Sequence, residues 1–323
     1  MTGRRLLGAV LAGGSGLAMA AQTRINGELA IRLADGLAAA VISFGTGLVV
    51  LIGLVPLTAP GRRGLRAVRG ALRTGRLRWW HLLGGLSGAF VVAGQGLTVA
   101  TLGVAVFTVA IVAGQSASGL AVDRAGLGPG GAEPVTARRV AGAVLCVVAV
   151  LVALADRLDA PRALGLAVLP LLAGFGIAWQ QAVNGQVRLA AGGSTWPATF
   201  INFTAGTVAL LVASGVGVAV RGWPGGSLPA EPWLYTGGLL GVMVIATAVA
   251  VVQVTGVLLL GLSAIAGNVL GALLLDLATP TVGPPHPNTY AGAVLTLVAV
   301  AVAAYARRPR SPSPAGAVRS PAG

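Results

Sequence analysis

Two stretches of 44 residues each, 79–122 and 232–275, contain no Asp, Glu, Lys or Arg. No other feature restricts the fold as much. A soluble domain carries roughly 25% charged residues, whereas about 20 apolar residues suffice to cross a bilayer as a helix. Each run is therefore expected to cross twice. Segments 36–61, 164–187, 189–220 and 277–306 supply one further crossing each, and 140–155 a short one. Only 9% of the chain is charged and 55% is hydrophobic. The chain reads as an all-α polytopic membrane protein. Its 50 glycines suit that class, because small residues let bilayer helices approach closely.

The net charge of +14 would suggest a nucleic-acid partner in a soluble protein. Here the arginines fall where the positive-inside rule places them, so no nucleic acid is implied. With the N-terminus in the cytoplasm, 17 of the 22 Arg lie in cytoplasmic segments, seven of them in the connection 58–78. That connection reads as a cytoplasmic loop able to touch anionic headgroups of the lipid bilayer. The C-terminus is then cytoplasmic too, and the Pro/Ser-rich tail 307–323 reads as disordered. The first 22 residues resemble a secretory signal peptide, but a repeat matches them to an internal helix, so they read as a retained first span.

That repeat is the second constraint. A shift of 158 carries Gly16, Gln22, Asn26 and Gly27 onto Gly174, Gln180, Asn184 and Gly185. A shift of 159 carries "SFGTG" from Ser43 onto "NFTAG" from Asn202. A shift of 153 carries "WHLLGGLSG" from Trp80 onto "WLYTGGLLG" from Trp233, and Gly103, Gln115 and Asp123 onto Gly256, Asn268 and Asp276. Each half reads as five spans: 6–32, 37–57, 79–101, 103–122 and 138–156, then 163–189, 197–220, 232–253, 256–276 and 289–306. Five is odd, so the second half enters the membrane inverted. The expected architecture is ten transmembrane helices as two inverted five-helix repeats, 1–158 and 159–306. Secondary transporters share that plan, with substrate at the repeat interface and glycine-broken helices beside it. The junctions Leu102-Gly103 and Thr255-Gly256 read either as such a pair or as ordinary tight turns at the surface.

Polar side chains inside the spans are the candidate site. Gln22 and Asn26 stand four residues apart, as do Gln180 and Asn184, so each pair shares one helix face. An amide facing lipid costs several kcal/mol, so these faces point inward. They either bond neighbouring helices or bind a polar small-molecule substrate, and the two readings are compatible. Gln95, Gln115 and Asn268 join the substrate-binding set, the last two because they recur at equivalent places. Trp179, beside Gln180, forms a cavity wall or core. Arg24 and Glu28 lie on another face near the outer interface. They read as an interfacial ion pair shared with Arg32 or, alternatively, with Glu28 as a carboxylate coupling transport to a proton. Asp123 and Asp276 read as helix-end charges. Cys146, His81 and His286 have no neighbours spaced for a metal site, and no phosphate-cradling Gly-Lys-Ser/Thr loop is present. No cofactor, metal or catalytic residue is expected, and the chain does not read as an enzyme.

The Gln-x-x-x-Asn-Gly first span, "SFGTG", the Trp-initiated "GGLSG" and "TVAIVAGQSASGLAVD" together resemble the YdcZ-like branch of the drug/metabolite transporter superfamily, over about residues 5–306. The resemblance implies an inner-membrane carrier of small metabolites or drugs, most often working outward and without ATP. Expected, then, is an exporter of a small polar or cationic compound by alternating access. A non-transporting membrane subunit that assembles with another protein is the alternative. Self-association into a homodimer is an open expectation.

Overall fold

The computed structural model describes residues 3–129, 131, 132, 134–155, 161–222, 226–280 and 285–305, with the side chains of 3, 5, 138, 161–163, 221, 248–262 and 303–305 excepted. The tail 307–323, Asp156, Asp159, Trp223 and the side chain of Gln253 lie outside the described residues. Among those described, all regular structure is helical. The α-helices are α1 (Gly3–Leu33), α2 (Gly36–Leu54), α3 (Ala59–Arg73), α4 (Gly85–Leu102), α5 (Val104–Arg124), α6 (Ala137–Ala153), α7 (Pro161–Ala190), α8 (Thr195–Arg221), α9 (Gly237–Ala278) and α10 (Pro287–Tyr305). Short 3₁₀ turns at Trp79–Gly84 and Pro232–Tyr235 lead into α4 and α9.

Among the described residues, six helical segments are long and apolar enough to cross a membrane: Leu6–Leu33, Gly36–Leu54, Trp79–Leu102, Val104–Arg124, Leu164–Ala190 and Thr195–Val220. Shorter apolar helices cover Arg139–Ala153 and Pro287–Val302. Large apolar side chains such as Val49, Leu172, Val212 and Leu274 point outward, while the interior is built mainly from Ala, Val and Gly with fewer Leu and some Thr and Asn. That distribution suits a bilayer, where lipid solvates Leu and Val and small residues set helix spacing.

Two features depart from the sequence expectation. The connection 58–78, expected as a loop, contains α3, whose Thr58 side chain caps the Gly61 amide. Its buried Gly64, Val68 and Ala71 face the α7–α8 turn, Gly61 lies on the Val55 carbonyl, and its arginines take the exposed side. The arginine-rich composition masked that period. Secondly, α9 runs unbroken through Thr255-Gly256, where a junction between two spans was expected. Only the first-half junction breaks its helix: Gly103 takes φ +79°, a left-handed value that favours glycine.

Asp276 explains why the break at Gly103 is stable. From the last turn of α9, its carboxylate accepts hydrogen bonds from the first amides of α5, Val104 at 3.2 Å and Ala105 at 2.8 Å. A carboxylate on a helix N-terminus satisfies orphan N–H groups and complements the helix dipole. Asp276 thus acts as a helix-end charge, on a helix from the other half of the sequence. Its counterpart Asp123 instead pairs with Arg139 at the start of α6.

The helices pack in pairs that exchange the two halves. α1 lies along α9 and α7 along α5; α2 packs on α8 and α6 on α10. Glycines make the closest approaches. A Cβ on Gly16 would strike the Ala264 carbonyl and the Asn268 amide, and one on Gly174 the Ile111 carbonyl and the Gln115 amide. Gly85 faces the Asn202 carbonyl and Gly206 amide, and Gly238 the Ser43 carbonyl and Gly47 amide. Each second contact is the first moved by the repeat offset. The duplication is therefore written into the packing as well as the sequence.

Candidate substrate-binding site

The repeated amides occupy the seam between the halves. On α1, Asn26 is buried and its Nδ2 donates to Gln95 Oε1 on α4 at 2.6 Å. Gln95 Nε2 donates to Thr23 Oγ1 at 3.1 Å, and Thr23 Oγ1 donates to the Met19 carbonyl at 3.0 Å. Gly237, at the start of α9, packs against Asn26 Oδ1, where a side chain would not fit.

The second half builds its own version. On α7, Gln180 Nε2 donates to Asn202 Oδ1 on α8 at 3.2 Å, and Asn202 Nδ2 donates to Asn184 Oδ1 at 3.2 Å. Gly84 packs against Asn184 Oδ1 as Gly237 does against Asn26. Between the networks the Phe44 and Phe203 rings meet at a centroid distance of 5.0 Å, tilted by 34°. They are equivalent residues of the repeat. The networks are nevertheless unequal: Asn202 links both amides of its stripe, whereas its counterpart is Ser43, and Asn26 turns to Gln95 instead. Asn26 Oδ1 and Asn268 Oδ1 are buried without a hydrogen-bond partner. In a low-dielectric interior an unpaired polar atom costs about 1–3 kcal/mol, so such atoms mark where a ligand or water belongs.

A small cavity adjoins the first network. Met19, Thr23, Val91, Gln95, Phe107, Thr108, Ile111 and Asn268 line it, from α1, α4, α5 and α9. The structure thus brings Gln95 and Asn268 to one cavity and links Asn26 to it through Gln95. Gln22 is half-buried with its Nε2 over Gly241, and Gln180 stands likewise over Gly88. Gln115 lies at the α5–α7 contact beside Gly174, and Trp179 is half-buried on α7. Glu28 stands apart: its carboxylate pairs with Arg32 at 3.0 Å, and Arg32 reaches Glu231 at 3.3 Å. Arg24 takes no part in that pair, and its buried Nη1 has no hydrogen-bond partner.

Sequence reasoning missed Thr23, Thr108 and the two phenylalanines. Phe44 and Phe203 were within reach, since both stand second in the aligned "SFGTG" and "NFTAG". Thr23 and Thr108 have no counterpart signal, because a single Thr in an apolar helix usually bonds its own backbone.

Residues 7–152 and 165–302 each match a family described as "Putative inner membrane exporter, YdcZ". A crystal structure matches with a TM-score of 0.54 at 21% identity, covering 94% of this chain and 96% of that one, a likeness of fold alone. No curated protein matches.

Proposed function

Because the chain belongs to this family of YdcZ-type inner membrane exporters, we propose that it is a secondary transporter exporting a small polar or cationic compound through the seam between its halves. The observation that carries the proposal is the buried amide network Asn26–Gln95–Thr23 between α1 and α4, with Asn26 Oδ1 unpaired and the unpaired Asn268 Oδ1 of α9 beside it. Neutral amides are costly in a bundle unless they bond something, and a passing polar solute is a partner that packing alone does not supply. The exchanged packing of the halves supports a two-repeat plan; ten spans with both termini cytoplasmic belong to this reading and would require α9 to break near Thr255-Gly256 so as to cross twice. Exchanging the contacts of one half for those of the other then exposes the seam to either side. Gln22, Asn26, Gln95, Gln115, Trp179, Gln180, Asn184 and Asn268 form the substrate path. Glu28 is a separate candidate for proton coupling, through its pair with Arg32.

The test is thermal unfolding of the purified protein against cationic, anionic and neutral metabolites. Ligand at 100 times its dissociation constant adds about 2.7 kcal/mol, which a midpoint shift reveals. The proposal expects a stabilising compound whose effect disappears in Gln95→Leu and whose flux into proteoliposomes the wild-type protein supports. A compound that stabilises Gln95→Leu and Asn184→Leu as well as wild type binds elsewhere and sinks this assignment of the site.

A further inference from the structure

α3 joins two membrane-crossing segments, Gly36–Leu54 and Trp79–Leu102, so it lies at the membrane face where the first ends and the second begins. Leu57 and Trp79 flank it, 74% and 70% exposed, as apolar anchors do at a bilayer interface. At about 100° per residue, Arg62, Arg66, Arg69 and Arg73 fall within about 60° of one another, in a stripe about 16 Å long. Gly64, Val68 and Ala71 occupy the opposite side. All seven arginines of 58–78 are exposed, and among the described residues none pairs with a carboxylate. Like charges four residues apart destabilise a helix, so the stripe repels itself. The sequence holds no Asp or Glu between positions 36 and 122 to offset that repulsion.

A row of unpaired guanidinium groups selects anions, and its place selects which. Guanidinium grips phosphate oxygens through two parallel hydrogen bonds. Four in a row suit phosphates spread over a plane better than one small anion. An anionic leaflet presents such a plane, and each basic residue near it contributes about 1 kcal/mol. The equivalent connection of the second half, 222–231, has Glu231 and no Arg, so the feature belongs to one membrane face. The back of α3 decides what binding does. Gly64 packs against Pro197, and Val68, Ala71 and Leu77 share an apolar cluster with Val187, Ala191 and Ala198 around the α7–α8 turn. We propose that α3 is a headgroup-binding strut: its arginine stripe takes the phosphates of anionic phospholipids in the leaflet it lies on, and so fastens the α7–α8 turn of the second half to the first. This response to bilayer charge goes beyond the export reading and does not depend on the compound carried.

The experiment titrates the purified full chain, in a zwitterionic detergent, with short-chain phosphatidylglycerol or with phosphatidylcholine of the same chain length. Unfolding midpoint and hydrogen exchange are followed together. Phosphatidylglycerol should raise the midpoint saturably and slow exchange over residues 188–196, whereas phosphatidylcholine should do neither. Arg66→Gln, Arg69→Gln and Arg73→Gln should each raise the half-saturating concentration about fivefold. Arg69→Lys, which keeps the charge, should retain most of the binding. Arg124→Gln, at an exposed position ending α5 and off the stripe, should change nothing. An equal response to the two lipids would overturn the proposal, as would a phosphatidylglycerol effect that survives all three glutamines together. Inorganic phosphate reproducing the effect would make this a free-anion site, and a single-stranded oligonucleotide displacing the lipid would make it a nucleic-acid surface; either overturns the lipid assignment. Slower exchange confined to residues 59–73 would overturn the coupling to the second half.

Discussion

Gly14 and Gly16 lie two residues apart on α1, yet alanine should act oppositely at the two. A Cβ at Gly14 meets nothing within 4 Å, whereas one at Gly16 would collide with the Ala264 carbonyl and lie 2.6 Å from the Asn268 amide nitrogen. Both obstacles are backbone, so no rotamer change relieves them. Gly→Ala in a helix interior contributes roughly 0.5–1 kcal/mol of stability through backbone entropy, so Gly14→Ala should stabilise by about that amount. Overpacking costs about 1–3 kcal/mol, so Gly16→Ala should lose up to about 2 kcal/mol after the same entropy gain. The shared entropy gain cancels, so the two variants should differ by the overpacking cost, about 1–3 kcal/mol. Reversible unfolding of the purified protein in one detergent measures this directly. The equivalent Gly174→Ala, blocked by the Ile111 carbonyl, should behave like Gly16→Ala. If Gly14→Ala and Gly16→Ala change stability equally, α1 does not approach α9 as closely as described and the paired packing argument collapses.

Other perturbations follow from the same contacts. Asp276→Ala should cost about 1–2 kcal/mol, because it leaves the Val104 and Ala105 amides uncapped, and hydrogen exchange should rise first at the start of α5. Asn202→Leu should cost about 1–3 kcal/mol by leaving the amides of Gln180 and Asn184 without their shared partner; unchanged unfolding would show that this network is not formed. Phe44→Ala should cost about 3–5 kcal/mol, removing a buried ring from its contact with Phe203. Glu28→Gln should barely change stability, since Arg32 is half-exposed and keeps Glu231. Its effect on the pH dependence of flux decides the coupling role: lost dependence supports it, and an unchanged profile removes it.

Much of this was legible in the sequence for a simple reason. Charge-free runs and inward amides are local signals, and the repeat offsets identify equivalent residues without knowing what they touch. Gly16 and Gly174 aligned before any contact between helices was known. What each glycine meets is non-local: Ala264 lies 248 positions from Gly16. The same limit hid the third member of the Glu28 cluster. The sequence offered Arg24, four residues earlier, and Arg32, four residues later, whereas the third member of the cluster, Glu231, is 199 residues from Arg32. α3 escaped notice because five arginines in 15 residues look like a topology signal before they look like a helix face. The site was half legible. Gln95 and Asn268 stood out as amides in apolar helices, but the threonines completing their cavity resemble any other threonine in a bundle.

The most direct test of the central claim needs no knowledge of the substrate. Cys146 is the single cysteine and is buried. A Gln95→Cys variant in a Cys146→Ser background therefore carries one reporter at the seam. Membrane-impermeant thiol reagents applied to right-side-out and inside-out vesicles then ask which faces the seam reaches. Alternating access through the contact of the two halves predicts labelling from both sides, at different rates. Labelling from one side only, or from neither, would contradict it.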